Sequence, residues 1–193
     1  MNSDGKPALL LIDIQKGLDD IDYYGGHRNN LQAESNARKI LDFWRNHKFP
    51  IFHIKHNSTN PNSPLAKGRP GNQFKDIVEP LVNEKIIEKE VNSAFIGTDL
   101  KQQLDKLEIK KVVIVGLTTD HCVSSSTRMA GNLGYDTFLV ADATATFDKV
   151  GADGTKYKAE MIHEVELASL HNEFAMVINT DDLFNIIKEA QQT

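Results

Sequence analysis

Short, continuous runs of β-branched and aliphatic residues recur along the chain, most of them separated from the next by a stretch of helical spacing. ALLLIDI (8–14), PIFHIK (50–55), KIIEK (85–89), VVIV (112–115), TFLV (137–140) and FAMVI (174–178) are the runs. Runs this short and unbroken are the mark of strands buried on both faces. Between them, 31–47, 98–107, 122–133 and 157–171 read as helices, with Trp44 in the core beside Ile40 and Leu41, and 180–190 closes the chain as another. Strict alternation of strand and helix predicts a parallel sheet covered on both sides. The expected fold is therefore α/β: a three-layer α/β/α, Rossmann-like arrangement around a six-stranded parallel sheet. No composition shift divides the chain, so one domain spanning 1–193 is expected. Two polar loops stand out, 56–75 and 143–155; a loop beyond about 12–15 residues is uncommon in a compact domain and is often functional.

A net charge of −5 argues against a nucleic-acid partner, which calls for a basic face. No run approaches the roughly 18–20 apolar residues that span a bilayer, and the N-terminus carries no signal-peptide pattern, so no membrane association and a cytoplasmic location are expected. The single cysteine cannot form an internal disulfide.

In open parallel sheets ligands bind beyond the carboxyl ends of the strands, at the switch in strand order. Asp13, Lys89 and Cys122 all fall at such ends. A thiol at a helix N-terminus is favoured as thiolate by unpaired N–H groups and by the helix dipole, and a lysine nearby adds to the effect. The other reading of Cys122 is a small buried apolar residue; position alone leaves both open. His121 adjoins Cys122, but helix neighbours point about 100° apart, which disfavours a Cys–His dyad. His56 and Asn57 open the long loop, Gln15 follows Asp13 and Phe95 follows Lys89; these are candidate substrate contacts. His163 and His171 read as structural or surface residues, and Asp142 as a loop anchor. No GxGxxG or GxxxxGK[ST] occurs, so nucleotide binding has little support.

LLLIDIQ around Asp13, EKEVNSAFIGTDL after Lys89, and VIVGLTTDHCVSSSTRMAGNLGYDTFLVADA around Cys122 together resemble the isochorismatase-like cysteine hydrolases, a family that includes nicotinamidases and other amidases. The resemblance runs from about Ala8 to Phe184. It implies Asp13 as proton-transfer acid and base, Lys89 as its support, and Cys122 as nucleophile. It also implies a cis peptide at Leu117–Thr118 and an oxyanion hole from the N–H groups of Thr118 and Cys122, with Leu117 against the substrate. The implied reaction is hydrolysis of a small-molecule amide or other C–N bond through a thioester, without a cofactor. A homo-dimer or homo-tetramer is implied too.

The chain departs from nicotinamidases in lacking their Asp-x-His metal ligands after the second strand. HIKHNST puts His53 and His56 three residues apart, on opposite strand faces, so no metal site is expected. Isochorismate cleavage needs no thiol, so Cys122 favours C–N hydrolysis. The alternatives are isochorismatase or nicotinamidase activity, or a member of the fold that binds ligand or senses redox state without catalysis.

Overall fold

The computed structural model describes residues 6–190. Strands β1 (Ala8–Ile12), β2 (Ile51–His56), β3 (Lys85–Lys89), β4 (Lys111–Leu117), β5 (Asp136–Ala145) and β8 (Met176–Ile178) form one sheet. Its order is β3-β2-β1-β4-β5-β8, and every pairing in it is parallel. The chain starts in the middle, builds outward through β2 and β3, then crosses to the other side of β1 to place β4. The switch in direction therefore lies between β1 and β4.

Residues of β1 alternate between two cores, as a pleated strand covered on both faces must. Ala8, Leu10 and Ile12 pack with Leu100 and Leu104 of α3 (Leu100–Lys106), Ala130 of α4 (Ser124–Asn132) and Leu170 of α5 (Ala159–Leu170). Leu9 and Leu11 face Ile40, Leu41 and Trp44 of α2 (Ala33–His47) and Leu183 and Ile187 of α6 (Thr180–Ala190). Trp44 is fully buried in that core, and its indole N–H donates to the Pro7 carbonyl at 3.0 Å. A four-residue helix, α1 (Ile21–Tyr24), and a two-stranded hairpin, β6 (Lys149–Val150) with β7 (Lys156–Tyr157), lie outside the layers.

Several boundaries differ from the sequence expectation by one or two residues, and three differences shape the site. Strand β1 ends at Ile12 rather than Ile14, because Asp13 turns into the left-handed region (φ 50°) and Ile14 leaves the ladder. Strand β5 continues to Ala145, well past Val140, and takes in part of the expected loop. A register shift between Ile114 and Gly116 lets Gly116 and Leu117 pair with Thr144 and Ala145. Gly116 is indispensable to that shift: its φ is +125°, and a Cβ there would stand 2.1 Å from the Ile12 carbonyl oxygen. Finally, the helix expected from Cys122 begins as a π-helical turn, Thr119–Val123, and becomes α4 only at Ser124.

The 56–75 loop is anchored rather than free. Gln15 Oε1 accepts from the His56 N–H (2.8 Å), while its Nε2 donates to the carbonyls of His56 (3.0 Å) and Asn72 (2.9 Å). Beyond it, the Lys75 ammonium reaches Glu34 and Asp19 at 2.6 Å each, and Arg28 grips Glu34 with two bonds of 2.7 and 2.5 Å. Burial alone would raise the Glu34 pKa, but Arg28 and Lys75 outweigh it and hold the carboxyl at about 2.

Candidate active site

The carboxyl ends of β1, β2, β3 and β4 converge on a cavity of about 170 Å³. Asp13 enters from the end of β1 and Lys89 from the end of β3. Their side chains are 2% and 0% exposed, and Lys89 Nζ lies 2.6 Å from Asp13 Oδ2. The same ammonium lies 3.2 Å from His56 Nδ1 at the end of β2. Burial, and then the Lys89 charge, push the His56 imidazole below its ordinary pKa, so it is neutral at pH 7. Asp13 Oδ1, equally buried, has no hydrogen-bond partner among the described residues.

Cys122 enters from the π turn after β4. Donor atoms of Asp13, His56 and Cys122 lie within 4.8 Å of one another. The thiol points at Asn92 Oδ1, 3.7 Å away. Burial pushes its pKa well up, the Asp13 carboxylate pushes in the same direction, and the Lys89 ammonium opposes them. The resting group is thus a thiol, contrary to the thiolate expected from a helix N-terminus. Cys122 lies within the π turn, ahead of the true start of α4 at Ser124, and its burial favours the neutral thiol. The peptide Leu117–Thr118 is cis.

Of the candidate substrate contacts, His56 and Leu117 line the cavity, as does Thr118. Three others do not. Gln15 is fully buried and spends both ends of its amide pinning the 56–75 loop. Asn57 turns away to bond Glu88 (2.8 Å) and Asn72 (3.1 Å). Phe95 packs into the core under α4 and stacks on Tyr135, ring centroids 6.0 Å apart. In their place stand Leu18, Tyr23, Tyr24, Ser58, Ser63, Leu65 and Asn92. Asn92 was within reach of sequence reasoning, since it lies three residues past Lys89 at a strand end. The tyrosines were not, because only the folded 16–30 segment brings them to the sheet edge. His121 sits at the rim, its side chain 58% exposed and its Nε2 3.4 Å from Asp120 Oδ2. Asp142 is an anchor, accepting from the Thr180 N–H and hydroxyl at 2.9 Å each at the start of α6.

The Asp13, His56 and Cys122 donors are chemically of a kind that binds zinc, but they do not fit a divalent cation here. The Lys89 ammonium already stands 2.6 Å from Asp13 and 3.2 Å from His56, and a fixed buried charge that close repels a divalent ion. His53 belongs elsewhere: it points to the opposite side of β2 and meets Glu84 at 2.7 Å beneath Phe74.

Asp13, Lys89 and Cys122 thus gather at the switch point of a doubly wound parallel sheet. The chain belongs to the isochorismatase family: the Isochorismatase domain model matches residues 7–182. It is 48% identical over 180 residues to the isochorismatase family protein YrdC of Bacillus subtilis, covering 93% of this chain and 95% of that one. A crystal structure of an isochorismatase-family hydrolase from Chromobacterium violaceum superposes with a TM-score of 0.91 at 40% identity, covering 95% and 94% of the two chains. Nicotinamidase 3 of Arabidopsis thaliana is 27% identical, over 91% of this chain and 86% of its own. The protein is an isochorismatase-family hydrolase. Among the described residues no helix is long and apolar enough to cross a membrane.

Proposed function

We propose that this protein is a metal-independent cysteine amidohydrolase acting on a small, uncharged amide or related C–N bond. The observation that carries the reading is the divided Asp13 carboxylate: one oxygen is held by Lys89, and the other is buried, unpartnered and close to a thiol. A buried lone pair without a donor is costly, and it is the place for a proton in transit.

The steps follow from that arrangement. Asp13 takes the Cys122 proton as substrate enters, and the sulfur attacks the carbonyl carbon, forming the C–S bond. The oxyanion is held by the N–H groups of Thr118 and Cys122. Asp13 returns the proton to the nitrogen, the C–N bond breaks, and the amine departs from a thioester. Water then adds to the thioester carbonyl while Asp13 accepts its proton. Collapse breaks the C–S bond, the proton passes to sulfur, and the acid leaves. Lys89 holds Asp13 in place.

Size and charge support an uncharged substrate. The cavity holds about six water volumes of roughly 30 Å³ each, below the about 300–1,000 Å³ usual for drug-sized ligands. Its lining includes Leu18, Leu65, Leu117 and Tyr24 and, among the described residues, no arginine or lysine side chain that would meet a carboxylate. That weighs against the dianionic isochorismate.

The test is a panel of small carboxamides assayed for ammonia or amine release with wild type and Cys122→Ala. Release by wild type alone, with both proteins equally folded by circular dichroism, is expected. Undiminished release by Cys122→Ala refutes the reading.

A further inference from the structure

The turn that carries Cys122 is held from outside on two sides: the Thr146 hydroxyl donates to Asp120 and Lys149 Nζ lies 3.3 Å from the same carboxylate, while α5 braces the turn from another direction. In the π turn the Thr118 carbonyl accepts from the N–H of His121 (3.1 Å) and of Val123 (3.2 Å), a wide and poorly filled geometry. Such turns are rare and need support from their surroundings. Besides Thr146 and Lys149, two side chains of α5 supply it. His163 Nδ1 lies 2.8 Å from Thr119 Oγ1, and Glu166 Oε1 accepts from Ser124 Oγ at 2.5 Å. Thr119 and Ser124 stand on either side of Cys122. His163 and Glu166 are three residues apart on α5 and so share a face. Arg128 Nη2 adds a bond of 2.9 Å to the same Glu166 oxygen, tying α4 to α5 just beyond the turn.

The proton on His163 can be placed. Asn30 Nδ2 donates to the carbonyls of Thr144 (2.9 Å) and Ala141 (3.2 Å), which identifies it as the amide nitrogen. It also lies 3.3 Å from His163 Nε2. An amide nitrogen cannot accept a hydrogen bond. Nε2 therefore presents its lone pair, Nδ1 carries the hydrogen, and Thr119 Oγ1 accepts it. His163 and Thr119 are buried, at 6% and 0% exposure. Burial keeps the imidazole below its ordinary pKa, with Asp120 acting the other way, which agrees with a neutral ring.

We infer that His163 and Glu166 are positioning residues that clamp the nucleophile turn from both sides, setting where Cys122 Sγ stands relative to Asp13. The inference rests on Cys122 being the nucleophile. Neither residue touches the cavity, so the clamp acts on the reacting geometry and not on substrate affinity.

The experiment compares His163→Ala, His163→Asn, Thr119→Val and Glu166→Ala with wild type and Cys122→Ala. Steady-state kinetics use the carboxamide turned over best in the panel. Iodoacetamide alkylation of Cys122 at pH 9 gives a second readout that needs no turnover. Misplacement of reacting groups by about 1 Å costs on the order of 100-fold. The expected result is a kcat lower by about 10–100-fold in His163→Ala and Glu166→Ala, with KM within about twofold and an altered alkylation rate. His163→Asn, whose amide offers a donor where Nδ1 stands, recovers most of kcat. Thr119→Val removes only the acceptor and reproduces the loss even if His163→Ala fails to fold. Unchanged kcat in folded Thr119→Val and Glu166→Ala, with Cys122→Ala inactive, overturns the clamp and leaves the nucleophile standing. Turnover by Cys122→Ala instead overturns the reading on which the clamp rests.

Discussion

Replacing Lys89 with methionine removes, among the described residues, the partner of a buried carboxylate oxygen while nearly preserving volume. The wild-type pair is 2.6 Å apart with both side chains at most 2% exposed. Breaking such a pair costs about 3–5 kcal/mol, because the remaining charge stays buried and unpaired. For a chain of this size each kcal/mol moves Tm by about 2–4 °C, so Lys89→Met melts about 6–20 °C below wild type. Without Lys89 the carboxylate also loses the contact that places it beside Cys122 as a base. General-base catalysis is worth about 10²–10⁴-fold, and kcat falls by that order. The decisive comparison is the double variant Asp13→Asn/Lys89→Met. It carries no buried charge, so it recovers much of the lost Tm while remaining inactive. Differential scanning calorimetry of the wild type, the two single variants and the double variant gives the coupling directly. A Tm for Lys89→Met within 2 °C of wild type, or a double variant as unstable as the sum of its parts, refutes the reasoning.

Other outcomes follow from the same geometry. Alkylation of Cys122 is slow at pH 7 and accelerates only above the about 8.5 of a free thiol, since burial and Asp13 raise its pKa; a fast reaction already saturated at pH 7 contradicts this. Glu34 is held at about 2 against an ordinary 4.5. Its stabilisation, on the order of 3 kcal/mol, is fully present above pH 4.5 and is lost as pH falls toward 2. Glu34→Gln therefore lowers Tm at pH 7, and the gap to wild type closes near pH 2 in a pH series of melts. Dialysis against EDTA leaves turnover of the best carboxamide unchanged, because the buried Lys89 ammonium beside Asp13 and His56 repels a second cation; activity that disappears and returns with a divalent cation counts against it.

Much of this was legible in the chain before any coordinates. The buried runs set the sheet, and a parallel sheet sends Asp13, Lys89 and the Cys122 turn to one edge whatever the loops do. The loops decided the rest. Gln15 looked like a substrate contact from its place beside Asp13. Its amide is instead consumed by His56 and Asn72, a partner 57 residues away. Phe95 follows Lys89 closely, yet the chain turns it under α4 against Tyr135. Strand β5 outran its apolar stretch because pairing at Gly116, not composition, decides where it ends. The protonation of Cys122 depends on burial, which local sequence does not carry. His163 read as structural, and only the packing of α5 on the π turn reveals what that structure holds.

The most direct test of the account is acid quenching of wild type and Cys122→Ala during turnover of the small carboxamide panel, followed by intact and peptide mass spectrometry. The account expects an acyl group on Cys122 for at least one member that wild type hydrolyses, discharged by hydroxylamine and absent from Cys122→Ala. Hydrolysis of a panel member with Cys122 never modified, or hydrolysis that survives its replacement by alanine, contradicts it.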